Sequence, residues 1–308
     1  MAASIEPGAT TLTNTLDISE KPQPSLLQDR ELEQDHDADF VTWNGVEDVD
    51  NPYNWAQSRK WLATLLMSGI SLMTLMSSSM IAPALDDIAR DLSVSSSTEA
   101  QLALSAFVLA YAFAPMFIGP LSEIFGRIRV LQTCNAWFLI WTIICGFAHA
   151  EALMVVARLL SGIGGGAIFA IGDGFLSDCW KASERGKSFA ICNVVPLLGP
   201  ALGPLIGGYM TATIGWRWIF WVVAMFDVIV LLLSLCFLRE THARTILYRR
   251  MQRIKASTGN EELYTTWDTA NDKKQSRSAR TVITISCTRA FHMLATQPIL
   301  QFIALYQA

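Results

Sequence analysis

The sequence predicts an all-α polytopic membrane protein, a bundle of six membrane-spanning helices, and three observations carry that prediction. Hydrophobic residues fill 52% of the 308 positions and charged residues only 16%, with the charges unevenly spread. Four stretches hold no charge: Trp61 to Leu85 (25 residues), Ala100 to Ser122 (23), Val130 to Ala150 (21) and Ser188 to Trp216 (29). Two further windows are interrupted once each, Ala152 to Gly172 by Arg158 and Trp218 to Leu238 by Asp227. Every one exceeds the roughly 18 to 20 residues that cross a hydrocarbon core about 30 Å thick. Six such runs in succession argue against a soluble fold, and no alternation of apolar and polar residues recurs at barrel length.

Taken in order, residues 1–58 carry twelve Asp or Glu against two Lys or Arg, so this acidic tail is expected to be disordered. No basic start, apolar run and small-residue cleavage site precede the first span, which therefore acts as its own insertion signal. The bundle is expected over residues 59–240, with spans at about 61–83, 100–120, 130–149, 152–172, 188–210 and 217–238. Residues 241–296 read as a basic connector. Its end, "QPILQFIALYQA" (297–308), turns apolar again and reads as the start of a truncated seventh span.

Short loops force neighbouring spans to run antiparallel, and their charges set the orientation. Arg127 and Arg129 follow the second span, Lys181, Arg185 and Lys187 follow the fourth, and the basic connector follows the sixth. The positive-inside bias then makes both tails cytoplasmic. Cys134, Cys145, Cys192 and Cys236 lie inside spans, Cys179 in a short loop and Cys287 in the connector. With no CxxC and no paired spacing, they read as packing residues without a disulfide or metal framework.

The corner after the second span reads "GPLSEIFGRIRV" (119–130). Gly119 and Pro120 are expected to end the apolar part of the span and to allow a close approach to a neighbour. Gly126 supplies a backbone that can turn with positive φ. Glu123 and Arg127, four apart on one helical face, are expected to pair and also to be able to contact charged groups on another helix end, so the corner can lock or unlock. The same residues also fit a plain positive-inside corner.

This pattern resembles the cytoplasmic hairpin motif of the major facilitator superfamily, with matches at Gly119, Leu121, Glu123, Gly126 and Arg127. The superfamily usually has Asp at Glu123 and a basic residue at Ile128, for which Arg129 is a displaced substitute. "NPYNW" (51–55), "ERGKSFAI" (184–191), "GWRWIFW" (215–221) and "LRETHARTIL" (238–247) are similar to the fungal drug:proton antiporter branch, the multidrug and toxin efflux exporters. The resemblance covers residues 41–308. It implies a major facilitator fold of two six-helix bundles around a midplane site, each built from two inverted three-helix repeats, with this chain supplying the N-terminal bundle and the second bundle absent. It also implies a gating role for the hairpin, and Asp178, Glu184 and Arg185 are candidate site residues in the loop after the fourth span.

In the fifth span "GPALGPLIGG" (199–208) sets Gly199, Gly203 and Gly207 on one face, among Pro196, Pro200 and Pro204. Such faces let helices pack backbone to backbone in lipid, where neighbours also re-satisfy carbonyls freed by proline. The stretch resembles the antiporter signature of proton-coupled exporters at Gly203, Pro204, Gly207 and Gly208, which implies efflux; a packing face without bearing on direction is the other reading. Gly162, Gly166, Ala170 and Gly174 make a second small face in the fourth span.

Arg158 lies roughly 10 Å below the span's outer boundary. A guanidinium there must face water or a partner, or snorkel to the headgroups. "RLLSG" resembles the superfamily motif whose Arg is implicated in proton coupling. Asp227, ten residues from Arg217, sits near the bilayer centre. It is either a proton carrier or a protonated carboxyl bonded to a neighbour's backbone.

No phosphate loop, HExxH, GxSxG or metal-spaced His pair is present, so neither enzyme chemistry nor a cofactor or metal is expected. The connector lacks interleaved aromatics, which points to anionic lipid and away from nucleic acid. The resemblance implies a proton-coupled exporter of small organic molecules in the plasma membrane, its partners a small-molecule substrate, protons, the lipid bilayer and a second six-helix bundle. Two other readings stand beside it: a non-transporting half-transporter that assembles with or regulates another bundle, and a six-helix channel or scaffold.

Overall fold

The computed structural model describes residues 39–45, 47–92 and 97–266, together with 288 and 296–298. The expectations for residues 1–38, for Cys287, for most of the connector past 266 and for the apolar run after 298 lie outside the described residues.

Helices account for nearly all of it: α1 (Gln57–Ser79), a 3-10 turn at Ala82–Ala84, α2 (Leu85–Asp91), α3 (Ser97–Phe125), α4 (Arg127–Gly146), α5 (Glu151–Gly165), α6 (Ala167–Cys179), α7 (Arg185–Thr213), α8 (Arg217–Phe237) and α9 (Ala243–Thr258). Among the described residues, six stretches are long and apolar enough to cross a bilayer: Gln57–Asp91, Leu104–Phe125, Arg127–Gly146, Glu151–Cys179, Arg185–Thr213 and Arg217–Phe237. Even the 20 residues of Arg127–Gly146 reach about 30 Å at 1.5 Å per residue. The first span continues through the Pro83 turn into α2, and the fourth divides at Gly166 between α5 and α6.

α3 does not stop at Gly119 and Pro120. The helix carries Pro115 and Pro120 inside it and runs on to Phe125, and a Cβ on Gly119 would meet nothing within 4 Å. The expected close approach there is corrected accordingly. α7 likewise stays continuous through Pro196, Pro200 and Pro204.

The spans pair with an internal symmetry. The first lies along the fifth (α1 on α7), as the fourth lies along the second (α5 on α3); the third faces the sixth (α4 on α8). The third also packs on the fourth (α4 on α5) as the sixth packs on the first (α8 on α1). Exchanging spans one to three for four to six maps this set of contacts onto itself, which is the signature of two inverted three-helix repeats.

Glycines set the closest approaches. A Cβ on Gly207 would run into the Met80 carbonyl, one on Gly203 into the Ser79 hydroxyl, and one on Gly199 would lie 3.0 Å from the Met76 nitrogen. On the symmetric contact, a Cβ on Gly162 would strike the Phe107 carbonyl, and one on Gly166 would lie 2.8 Å from the Tyr111 carbonyl. Gly164 performs the same service against α4, its Cβ position 2.6 Å from the Cys134 carbonyl. Backbone contact of this kind supplies the dispersion energy that holds helices together in lipid.

Two apolar clusters fill the interior, one toward each end. Met67, Leu131, Ile171, Phe175 and Leu176 belong to the first, and Met80, Phe107, Phe138, Ala157 and Phe220 to the second. Beyond the second cluster, Arg217 closes the end by pairing with Asp91 at 2.8 Å, and Trp216 Nε1 donates to the same carboxylate at 3.0 Å.

A strap, residues 39–45 and 47–55, crosses the other end. Its Phe40–Val41 strand (β1) pairs in parallel with Tyr264–Thr265 (β2), after α9. Val41 packs with Met251, Leu263 and Ile254, and Asp48 pairs with Arg250 at 2.7 Å. Asn51 caps the 3-10 turn that begins at Pro52, which lets Tyr53 donate from its hydroxyl to the Ser177 carbonyl at 3.1 Å.

Candidate functional site

The hairpin end gathers residues from four elements. α3 stops at Phe125 and α4 starts at Arg127 because Gly126, at φ 99°, turns the chain where an L side chain would be strained. A Cβ there would also collide with Glu240. This break separates Glu123 from Arg127. The pairing expected from their four-residue spacing does not form: Glu123 is exposed, and Arg127 turns inward, its Nε 3.2 Å from Asp178 Oδ2 at the end of α6. That contact is an ion pair and lacks hydrogen-bond alignment at Nε.

Glu240, in the segment between α8 and α9, completes the arrangement. Its Oε1 accepts from the backbone N–H of Arg127 at 3.0 Å and from those of Thr241 and His242 at 3.2 Å each. A carboxylate on the first N–H of α4 satisfies a donor that the helix cannot and suits the helix dipole. Thr241 Oγ1 donates to Asp178 Oδ2 at 3.4 Å, so the third span, fourth span and post-sixth segment meet at two carboxylates. Arg185 Nη2 donates to the Ser177 carbonyl at 3.0 Å, sharing that acceptor with Tyr53. Glu184, at the start of α7, is exposed and makes no ion pair among the described residues. Leu121 packs against the first apolar cluster. Spacing alone could not reveal Glu240, although "LRETHARTIL" drew notice as a motif.

His242, beside this network, is half-buried with Nδ1 unpartnered. Burial, with the Arg127 and Arg244 charges nearby, pushes its pKa down to about 4.

The two charges inside the spans have separate surroundings. Arg158 is almost wholly buried, so it does not snorkel. Its Nη2 donates to the Ser77 carbonyl at 3.0 Å, and its guanidinium lies 5.0 Å from the Phe107 ring centre and 5.1 Å from that of Phe220. Two aromatic faces offset part of the cost of desolvating the cation. Asp227 is fully buried on α8, and its Oδ1 accepts from Asn135 Nδ2 at 3.1 Å. The partner is therefore a side chain, where a neighbour's backbone had been one expectation; Oδ2 has no hydrogen-bond partner. Asn135 was missed, though an Asn in the charge-free third span is a visible signal. Phe220, beside the Arg158 guanidinium, and Asp227 are seven residues apart on α8, about 10 Å of helix, and among the described residues no hydrogen bond or ion pair joins Arg158 to Asp227.

Of the antiporter-type residues, Gly199, Gly203 and Gly207 face α1, and Ser79 Oγ donates across that contact to the Gly199 carbonyl at 3.1 Å. Pro204 is exposed and Gly208 half-buried, its nearest neighbour being Pro83. On α6, Gly174 makes room for the Arg127 guanidinium.

Six apolar spans in two interleaved repeats, with the ion pairs found among the described residues lying at the ends, define an integral, multi-pass helical membrane protein. Residues 67–308 match the sequence profile of the Major Facilitator Superfamily, and the chain belongs to that family, one of transporters and not of enzymes. Among similar proteins, the efflux pump vrtL of Penicillium aethiopicum is 39% identical over 274 residues, 89% of this chain and 53% of the pump. The efflux pump radE of Floropilus chiversii is 32% identical over 276 residues, 90% of this chain and 50% of that pump. This chain thus spans about half the length of the curated relatives it matches. A crystal structure of a bacterial homolog of the human lysosomal transporter Spinster, inward-facing and unoccupied, shares the fold with a TM-score of 0.54 at 19% identity, covering 61% of this chain and 44% of that one.

Proposed function

We propose that this bundle is one half of a proton-coupled exporter of small organic molecules, working by alternating access against a second six-helix bundle. The observation that carries the reading is the hairpin network, in which Arg127 joins Asp178 and Glu240. Arg127 carries two separate contacts, its guanidinium against Asp178 and its backbone N–H on Glu240, so the hairpin, the fourth span and the post-sixth segment are joined at one residue, as a two-state gate requires. Relatives described as efflux pumps favour the outward direction. In this reading the hairpin end, the strap and α9 face the cytoplasm, both tails lie on that side, and the bilayer is the plasma membrane. Gly119, Leu121, Glu123, Gly126 and Arg127 form the moving corner, supported by Asp178, Glu184 and Arg185. The glycine face around Gly199, Gly203, Pro204, Gly207 and Gly208 is the sliding contact. Arg158 and Asp227 are the groups offered for proton coupling, since ionisable side chains inside a membrane are costly and are retained for function.

The test is accumulation of a panel of toxins and organic cations in yeast stripped of its own exporters and expressing the complete transporter that contains this bundle. At least one compound is expected to accumulate less, and a protonophore to restore its level. Asp227→Asn is expected to remove the dependence on the gradient. Export that ignores the protonophore would overturn antiport, and export by the Asn variant with unchanged pH dependence would remove Asp227 from the coupling path.

A further inference from the structure

Asp173 is used by none of the foregoing. It lies six residues, about 9 Å, inside the end of α6, within the fourth membrane span. Asp227 is buried against Asn135, and Asp178 is tied into the hairpin network. Asp173 is instead exposed, and among the described residues it makes no ion pair or hydrogen bond. A carboxylate cannot be left against lipid at that depth, so such groups face a water-filled cavity or a partner. α6 is flanked by α3 on one side and by α1 and α7 on another, with α4 also against it. Asp173 stands on the strip that these neighbours leave open, within electrostatic reach of Cys192 on α7.

The same strip is aromatic one turn deeper. Phe169, four residues before Asp173, is 46% exposed. The Tyr111 ring of α3 meets it edge to face, with ring centres 5.1 Å apart at 75°, and Phe107 stacks on Tyr111 at 5.8 Å. Tyr111 also keeps an enclosed hydroxyl without a hydrogen-bond partner. An unpaired carboxylate therefore continues directly into an aromatic wall.

Three ligand classes can be weighed against that arrangement. An anion is repelled by Asp173. A bare metal ion needs several oxygen ligands, and no cluster able to hold one occurs among the described residues. A delocalised organic cation satisfies both halves at once, its charge against the carboxylate and its apolar body against rings whose π faces attract positive charge. We infer that Phe169, Asp173 and Tyr111 form a recognition strip for a lipophilic organic cation. This rests on the transporter reading above and adds to it the charge of a ligand.

The experiment is equilibrium binding of radiolabelled tetraphenylphosphonium to the purified complete transporter that contains this bundle, in detergent, with neutral triphenylphosphine oxide as the control ligand. The wild type is expected to bind the cation saturably. Asp173→Asn is expected to weaken it by about tenfold or more, Asp173→Glu to stay within about threefold, and Phe169→Leu to weaken it several-fold. Binding of the neutral ligand is expected to be the same in all four proteins. Monodisperse elution of each variant confirms that it is folded, and Asp173→Glu restores the charge in the same place. Absence of saturable cation binding by the wild type, or equal binding by wild type and Asp173→Asn, overturns the inference. The two readings fail separately: loss of the cation strip leaves gradient-dependent efflux of neutral toxins intact, whereas absence of any such efflux sinks the exporter whatever binds here.

Discussion

At Gly207 a single hydrogen atom decides how closely α7 approaches α1. Any Cβ there meets the Met80 carbonyl, a backbone atom that cannot swing aside. Gly207→Val is therefore expected to cost about 2 kcal/mol or more through overpacking and to lower the midpoint of thermal unfolding in detergent, while Gly208→Ala, facing only Pro83 at 3.7 Å, leaves it nearly unchanged. Equal midpoints for the two variants would refute the contact. The spacing of Gly199, Gly203 and Gly207 already displayed this face in the sequence, because small residues four apart must line up on a helix. Their partner was not legible, since nothing local says which helix will lie opposite. The hairpin shows the same limit in sharper form. Gly126 was readable as a turn, yet the turn itself broke the helical register that made Glu123 look like Arg127's partner. The true partners, Asp178 and Glu240, lie 51 and 113 residues further along the chain, where only the folded bundle brings them close.

Among the elements, the strap and α9 have the most to reveal about conditions. Burial disfavours the Asp48 carboxylate, but the Arg250 guanidinium and the N–H groups of Asn44 and Asp50 outweigh it and hold its pKa below the usual carboxylate value. A depressed carboxyl stabilises docking above its unfolded pKa and loses that contribution as pH falls through the folded value. His242, beside the hairpin network and with its pKa pushed down to about 4, titrates with the same sign: its neutral form fits the buried site, so its contribution there is whole above the ordinary imidazole value of about 6.5 and is lost as pH falls toward 4. Docking of the strap is thus expected to weaken as pH falls through the lowered carboxyl value and Asp48 is neutralised, while the hairpin network beside His242 loosens between pH 6.5 and about 4. Fluorine NMR of 5-fluorotryptophan at Trp43 would follow it, and Asp48→Asn is expected to loosen the strap at neutral pH. A Trp43 signal indifferent to both would show that the charge pair does not hold the strap. Pattern reading could place a basic segment after the sixth span, but it could not foresee that acidic residues before the first would close on it.

For the whole molecule, the interleaving of the two repeats has a mechanical consequence. The first span finds its main partner in the fifth and the fourth in the second, so neither three-helix repeat can bury its own small-residue faces. Hydropathy reveals six spans but is silent on this exchange, because apolar runs of similar composition could pair with their neighbours in sequence equally well. The contact faces differ only in where glycine permits backbone approach: Gly162 and Gly166 against α3, and Gly199, Gly203 and Gly207 against α1. A chain divided between Ala150 and Glu151, in the short loop before α5, should therefore behave in a definite way. Each half expressed alone is expected to be degraded or to aggregate in detergent, since its glycine faces stay open to lipid. Co-expressed halves are expected to co-purify as one monodisperse species, and Gly162→Val in one half is expected to reduce that recovery sharply. If either half alone accumulated and eluted as cleanly as the pair, the repeats would be independent bodies, and the cross-repeat packing of first span on fifth and fourth on second would be wrong.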